Sequence, residues 1–132
     1  YDGERVRNRL KLLGVDMTHE NEKKHFFACK EGDLSDNEML KIDLPDRPPV
    51  VVYKVGGKFF ATDNTCTHGE ASLAEGEVDD DFIIECPFHG GTFDIRTGEA
   101  IDFPCVLPLK SYPVTVESGG VYINLEEGKT RA

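Results

Sequence analysis

Two short stretches carry the residue types that can do chemistry. Cys66-Thr67-His68-Gly69 offers one thiol and one imidazole at a C-x-H spacing. Cys86-Pro87-Phe88-His89-Gly90-Gly91 offers the same pair at C-x-x-H, and 17 residues separate His68 from Cys86. Two like ligand sets on two loops suit a metal site with two centres. The thiols of Cys66 and Cys86 would take one ion and the imidazoles of His68 and His89 the other. The same four donors could close around one tetrahedral zinc ion. Zinc modules, however, pair like ligands locally, and here unlike ligands are neighbours. A Cys66–Cys86 disulfide would leave both histidines without a purpose. The two other cysteines sit in different company. Cys29 ends the apolar run Phe26-Phe27-Ala28-Cys29, and Cys105 lies between Pro104 and Val106. Both read as small buried or loop residues rather than ligands.

The elements that must position these loops read as β. Leu40, Ile42 and Leu44 alternate with Lys41 and Asp43, the period of a strand with one buried face. Pro45, Pro48 and Pro49 are expected to break that strand. Val50 to Val55, Gly56-Gly57 and Lys58 to Thr62 predict a hairpin whose glycines supply positive φ. A second hairpin is expected from Val114–Glu117 through Ser118-Gly119-Gly120 to Val121–Leu125. Phe82-Ile83-Ile84-Glu85 reads as a strand running straight into Cys86, and Thr92-Phe93-Asp94 as the strand leaving the second loop, with a turn at Thr97-Gly98. Many short strands with Gly and Pro turns, and no long helix over 25–126, indicate an all-β antiparallel sandwich or barrel. Each ligand loop is then a finger fixed at its base by strands.

Residues 1–24 differ. Val6, Leu10, Leu13 and Met17 fall at helical spacing among Arg5, Arg7, Arg9 and Lys11, so this stretch is read as an N-terminal extension, helical or disordered. Residues 25–126 form one domain and 127–132 a tail. The formal net charge of −10 and pI near 4.8 disfavour nucleic acid and anionic membranes and favour a basic protein partner. No run approaches the roughly 18 apolar residues of a membrane span, and no secretory signal is evident. Thiols beside a metal site fit a reducing cytoplasm.

The pattern CTH…CPFHGG, read at Cys66–His68 and Cys86–Gly91, resembles the Rieske family, in which two histidines replace two cysteines on one iron of a [2Fe–2S] cluster. The likeness covers roughly 25–126. Ala61-Thr62-Asp63-Asn64-Thr65-Cys66-Thr67-His68-Gly69 and Asp102-Phe103-Pro104-Cys105 are similar to the small Rieske ferredoxins of bacterial aromatic-ring-hydroxylating dioxygenase systems. The resemblance implies a Rieske fold with a small cluster-binding subdomain of two loops. It implies one [2Fe–2S] cluster held by Cys66, His68, Cys86 and His89. It implies a soluble, monomeric, cytoplasmic one-electron carrier, not itself an enzyme. Such a carrier works between an NADH-dependent flavoprotein ferredoxin reductase and a terminal oxygenase. Asp102 to Pro108 resembles the proline-bearing loop that covers the cluster in this family, and Gly69, Gly90 and Gly91 are expected to let backbone N–H groups approach the sulfides.

Departures from related branches narrow the reading. Respiratory Rieske proteins read C-T-H-x-x-C and C-P-C-H-G-S-x-Y, with a disulfide joining the loops. Here Ala71 and Phe88 replace the disulfide cysteines, and Gly91 and Phe93 replace the Ser and Tyr. A complete oxygenase needs a 2-His-1-carboxylate iron site, and the two remaining histidines, His19 and His25, lie upstream in a polar stretch. A small Rieske subunit of a nitrite- or arsenite-type redox enzyme is the alternative.

Overall fold

The computed structural model describes residues 25–67, 69, 71–88, 90–103 and 107–130. The expected extension at 1–24, both candidate histidine ligands and Cys105 lie outside these residues. The strands are β1 (His25–Lys30), β2 (Glu38–Leu44), β3 (Arg47–Val55), β4 (Lys58–Asp63), β5 (Glu77–Val78), β6 (Ile83–Glu85), β7 (Thr92–Asp94), β8 (Ala100–Asp102), β9 (Lys110–Tyr112), β10 (Val114–Glu117), β11 (Gly120–Asn124) and β12 (Lys129–Thr130). They form three antiparallel sheets, ordered β1-β11-β10, β12-β9-β4-β3-β2 and β5-β6-β7-β8. The described residues contain no α-helix, only short 3-10 turns, so the all-β antiparallel expectation holds.

Strand β3 explains the architecture. Its Val50-Val51-Val52-Tyr53 run has no polar alternation because both faces are buried. Successive strand residues point to opposite faces. Val51, Tyr53 and Val55 therefore pack with Leu73, Ile84 and Phe93 of the ligand-loop region. Val50 and Val52 pack on the other side with Val121 and Ile123 of β11. The five-stranded sheet thus separates two cores, and one of them reaches the candidate site.

The local chemistry matches the reading in places. Gly56 and Gly57 take φ of +61° and +77° and turn β3 into β4, as the Gly-Gly pair predicts. Ser118 and Gly119 turn β10 into β11. Three details differ. Pro48 and Pro49 do not break the sheet but lie inside β3, where the register with β2 shifts between Ile42 and Leu44. A bulge leaves residues unpaired, so two imino acids without N–H cost no ladder bonds there. Strand β6 starts at Ile83, because Phe82 takes φ +66°. That conformation is costly for a bulky residue. It is offset by an edge contact with Phe60 at 5.5 Å and by the Arg96 guanidinium 4.7 Å above the ring. Finally, Lys129–Thr130, in the expected tail, pair with Ser111 and Lys110 as an edge strand.

Candidate metal centre

The first ligand loop leaves β4 at Asp63. Thr65 and Ser72 bridge its two arms. Within it, the Cys66 N–H donates to the Ala71 carbonyl at 3.0 Å, and the Gly69 N–H donates back to the Cys66 carbonyl at 3.3 Å. The second loop leaves β6 at Glu85 and returns into β7 at Thr92, and these two residues are cross-strand partners. Within it, the Cys86 N–H donates to the Gly91 carbonyl at 2.8 Å, and the Gly90 N–H donates back to the Cys86 carbonyl at 3.2 Å. The two loops therefore close in the same way. In each, the cysteine N–H reaches the carbonyl five residues on, and the glycine after the histidine returns to the cysteine carbonyl. The extra residue in C-x-x-H is absorbed without changing that closure, helped by Gly90 at φ +79°.

Both thiols are buried, Cys66 with 2% and Cys86 with 3% of its surface exposed, and both border the same apolar core. The Gly69 and Gly90 N–H groups close the loops through their bonds to the cysteine carbonyls. Another glycine matters that the sequence did not single out. A Cβ on Gly76 would meet the Glu85 carbonyl oxygen at 2.0 Å, so only glycine lets this segment pass against the residue before Cys86. Glu75, Glu77 and Glu85 line a cleft of about 250 Å³ beside Cys86 and Gly90, which concentrates negative charge next to the second loop.

Two further hydrogen bonds link this region to Asp102 and Leu107. Thr92 Oγ1 donates to Asp102 Oδ2 at 2.8 Å, at the start of the 103–107 stretch. Thr67 Oγ1, between the two candidate ligands of the first loop, donates to the Leu107 carbonyl at 2.7 Å, at its end. Phe103 and Leu107 on this stretch, and Phe88 on the second loop, are 83%, 60% and 65% exposed.

The family model for the Rieske [2Fe-2S] domain matches residues 24–113. The chain belongs to the Rieske [2Fe–2S] domain family. It is 46% identical over 97 residues to the ferredoxin component of a p-cumate 2,3-dioxygenase system of Pseudomonas putida, an overlap of 74% of this chain and 82% of that protein. The Sphingomonas yanoikuyae B1 ferredoxin is 48% identical, with a TM-score of 0.71 over 75% of this chain and 96% of that one. A chain from a complex of reduced oxygenase and oxidized ferredoxin in carbazole 1,9a-dioxygenase is 41% identical, with a TM-score of 0.77 over 82% of this chain and 98% of that one. This Rieske protein is an electron carrier with one Rieske-type [2Fe–2S] cluster, and its relatives are electron-transfer components rather than the enzymes they serve.

The Rieske loops fit that group. Each presents one soft thiol, the donor that selects iron–sulfur clusters, and the two thiols meet one dry core. In the oxidised cluster two ferric ions, two sulfides and two thiolates cancel formally to zero. An uncharged group suits apolar surroundings, where a charged one is costly. Cys29 lies apart from both thiols: it sits in the other core, on β1, where burial raises its thiol pKa. Among the described residues no helix is long and apolar enough to cross a membrane.

Proposed function

We propose that this Rieske protein shuttles single electrons from an NADH-dependent flavoprotein ferredoxin reductase to a terminal aromatic-ring-hydroxylating oxygenase. Cys66 and Cys86 bind one iron and His68 and His89 the other. The observation that carries this reading is the equivalent closure of the two Cys/His loops around buried thiols. It gives two Cys/His loops of like shape, and the match to the Rieske [2Fe-2S] domain supports a two-iron group held between them. When bound, that group supplies one reversible one-electron step.

The chain's own residues do the rest. The hydrogen bonds Cys66 to Ala71 and Cys86 to Gly91 hold the thiol-bearing loops in one shape, so little rearrangement accompanies electron transfer. Phe88, Phe103 and Leu107 offer an apolar face that excludes water from a short-lived contact. The net charge of −10 steers the chain toward basic partners, with Glu75, Glu77 and Glu85 beside the second loop. The aromatic substrate belongs to the oxygenase. Its acidic charge disfavours nucleic acid and anionic membranes and its thiols suit a reducing cytoplasm, and it is taken to act as a monomer.

Reconstitution tests the proposal. The holoprotein is mixed with candidate reductase and oxygenase components and NADH, and aromatic hydroxylation is followed. Turnover that depends on this chain supports the carrier role. Reduction by the reductase without delivery to any aromatic oxygenase would favour a small subunit of another redox enzyme.

A further inference from the structure

The two ligand loops close alike but are anchored differently. The second is a hairpin loop between paired strands, with Glu85 opposite Thr92 at its neck. The first has a strand only on its incoming side; its outgoing arm passes through Ser72 into a 3-10 turn, Leu73–Glu75. Among the described residues the pairing of its two arms is short: the single Thr65–Ser72 bridge, flanked by the Leu73 N–H to Asn64 carbonyl and Cys66 N–H to Ala71 carbonyl bonds.

Asn64 stands at this neck, 2% exposed. A buried amide is costly unless its groups are paired, and both ends of this side chain are used on the outgoing arm. Its Nδ2 donates to Ser72 Oγ at 2.9 Å, and its Oδ1 accepts from the Ala74 N–H at 3.1 Å. Its own carbonyl accepts from the Leu73 N–H at 2.8 Å, and its N–H donates to the Pro49 carbonyl at 3.0 Å. One residue thus ties three consecutive residues of the outgoing arm to the incoming one. Through Pro49, in the β3 bulge, it fixes both to the central sheet. Cys66 follows two residues later.

We propose that Asn64 is a positioning residue for the cluster: its side chain reinforces the short pairing of the two arms and fixes the Cys66 loop, and so the Cys66 sulfur, against the core. The inference rests on Cys66 being a ligand. An apolar residue of similar volume could fill the space but not hold the arm. Asn124 offers a matched control. It is also a buried asparagine whose side chain accepts a backbone N–H, that of Glu126, but it lies on β11 beside the other core.

The test compares holoprotein variants by the rate of iron release to a chelator and by the electron paramagnetic resonance g-values of the reduced state. Asn64→Leu is expected to release iron about tenfold faster, through loss of two hydrogen bonds, and to shift the g-values. Ser72→Ala is expected to give a smaller change in the same direction. The double variant should exceed Asn64→Leu little, because the two groups share one bond. Asn124→Leu should lower the melting temperature while leaving both cluster readouts as in the wild type. Unchanged readouts in Asn64→Leu, or equal changes in Asn124→Leu, would overturn the proposal. If Asn64→Leu does not fold, an unaltered release rate and g-values in Ser72→Ala overturn it. Cys66→Ser is run in parallel. A cluster retained there removes the ligand assignment and the inference with it, whereas loss there beside a wild-type-like Asn64→Leu removes the inference alone.

Discussion

The Thr67 hydroxyl donates to the Leu107 carbonyl at 2.7 Å, joining the residue between two candidate ligands to a segment 40 positions away. Thr92, where the second loop enters β7, is likewise bonded to Asp102. Thr67→Val keeps the branched shape and removes the donor. It should cost about 1 kcal/mol of stability and admit water to the cluster. Faster bleaching of the visible spectrum in air than in the wild type is the expected result. A Thr67→Ser variant, which keeps the hydroxyl, should bleach at the wild-type rate.

The ligand assignment makes a sharp division among the cysteines. Purified protein should hold about two irons and two acid-labile sulfides per chain. Cys66→Ser, Cys86→Ser, His68→Ala and His89→Ala should each lose or severely damage the cluster and lower the melting temperature, because metal binding is linked to folding. Cys29→Ser and Cys105→Ser should keep the spectrum. One zinc and no sulfide in the wild type, or loss of the cluster in Cys105→Ser but not in Cys86→Ser, would contradict the assignment.

How far these features were legible depends on whether their cause is local. The Gly56-Gly57 turn and the β3–β4 hairpin are readable because positive φ is a property of the residues themselves. The two ligand loops are readable because ligand chemistry demands particular residue types at particular spacings. Pro48 and Pro49 mislead because their tolerance depends on the register of β2, which is set across the sheet. Phe82 misleads because its positive φ is offset by Phe60 and Arg96, 22 and 14 residues away. Asn64 reads as an ordinary turn residue. Its role exists only once Ser72 and Ala74 return beside it.

A hydrogen-bonded triad gives the fold a limit at high pH. Tyr112 donates to Asp63 Oδ1 at 2.5 Å and accepts from Arg47 Nη2 at 2.7 Å. Burial, then the bond to Asp63, pushes its pKa up from 10 to about 12. The folded-state pKa lies above the unfolded one, so the stabilisation is complete below about pH 10 and is lost as pH rises through about 12. The melting temperature should fall across that window, and Tyr112→Phe should make the fall shallower. A phenolate titrating entirely near pH 10 in the folded protein would contradict the triad.

Docking should show two separable parts. Second-order electron transfer to a partner should slow as salt rises, since steering is screened over ~10 Å at 0.1 M. Phe103→Ala or Leu107→Ala should weaken transfer at every salt concentration, because they remove apolar contact rather than charge. Stopped-flow rates across an ionic-strength series separate these effects. A rate flat in salt would make the charge a solubility feature only.

The midpoint potential of the cluster should reflect two hydroxyls that Gly91 and Phe93 do not supply. Relatives of the high-potential branch carry Ser and Tyr where Gly91 and Phe93 stand. Phe93 is fully buried on β7 and shares one core with Cys66 and Cys86, so a hydroxyl on this ring would enter a dry site on the cluster's side of the sheet. A hydrogen bond to sulfur stabilises the reduced, more negative state, and its absence lowers the potential. At roughly 1 kcal/mol per bond and about 59 mV per tenfold change for one electron, each missing donor lowers the potential by ~40 mV. The pair gives ~80 mV. The wild type should therefore lie near the low end of the Rieske range, at about −150 mV. That value still lets it accept electrons from NADH through a flavin and reduce an oxygenase. Gly91→Ser with Phe93→Tyr should raise the potential, by less for either substitution alone. Protein-film voltammetry measures both. A wild-type midpoint above about +100 mV, within the upper part of the same range, would contradict the hydroxyl argument and the role in an aromatic dioxygenase system together.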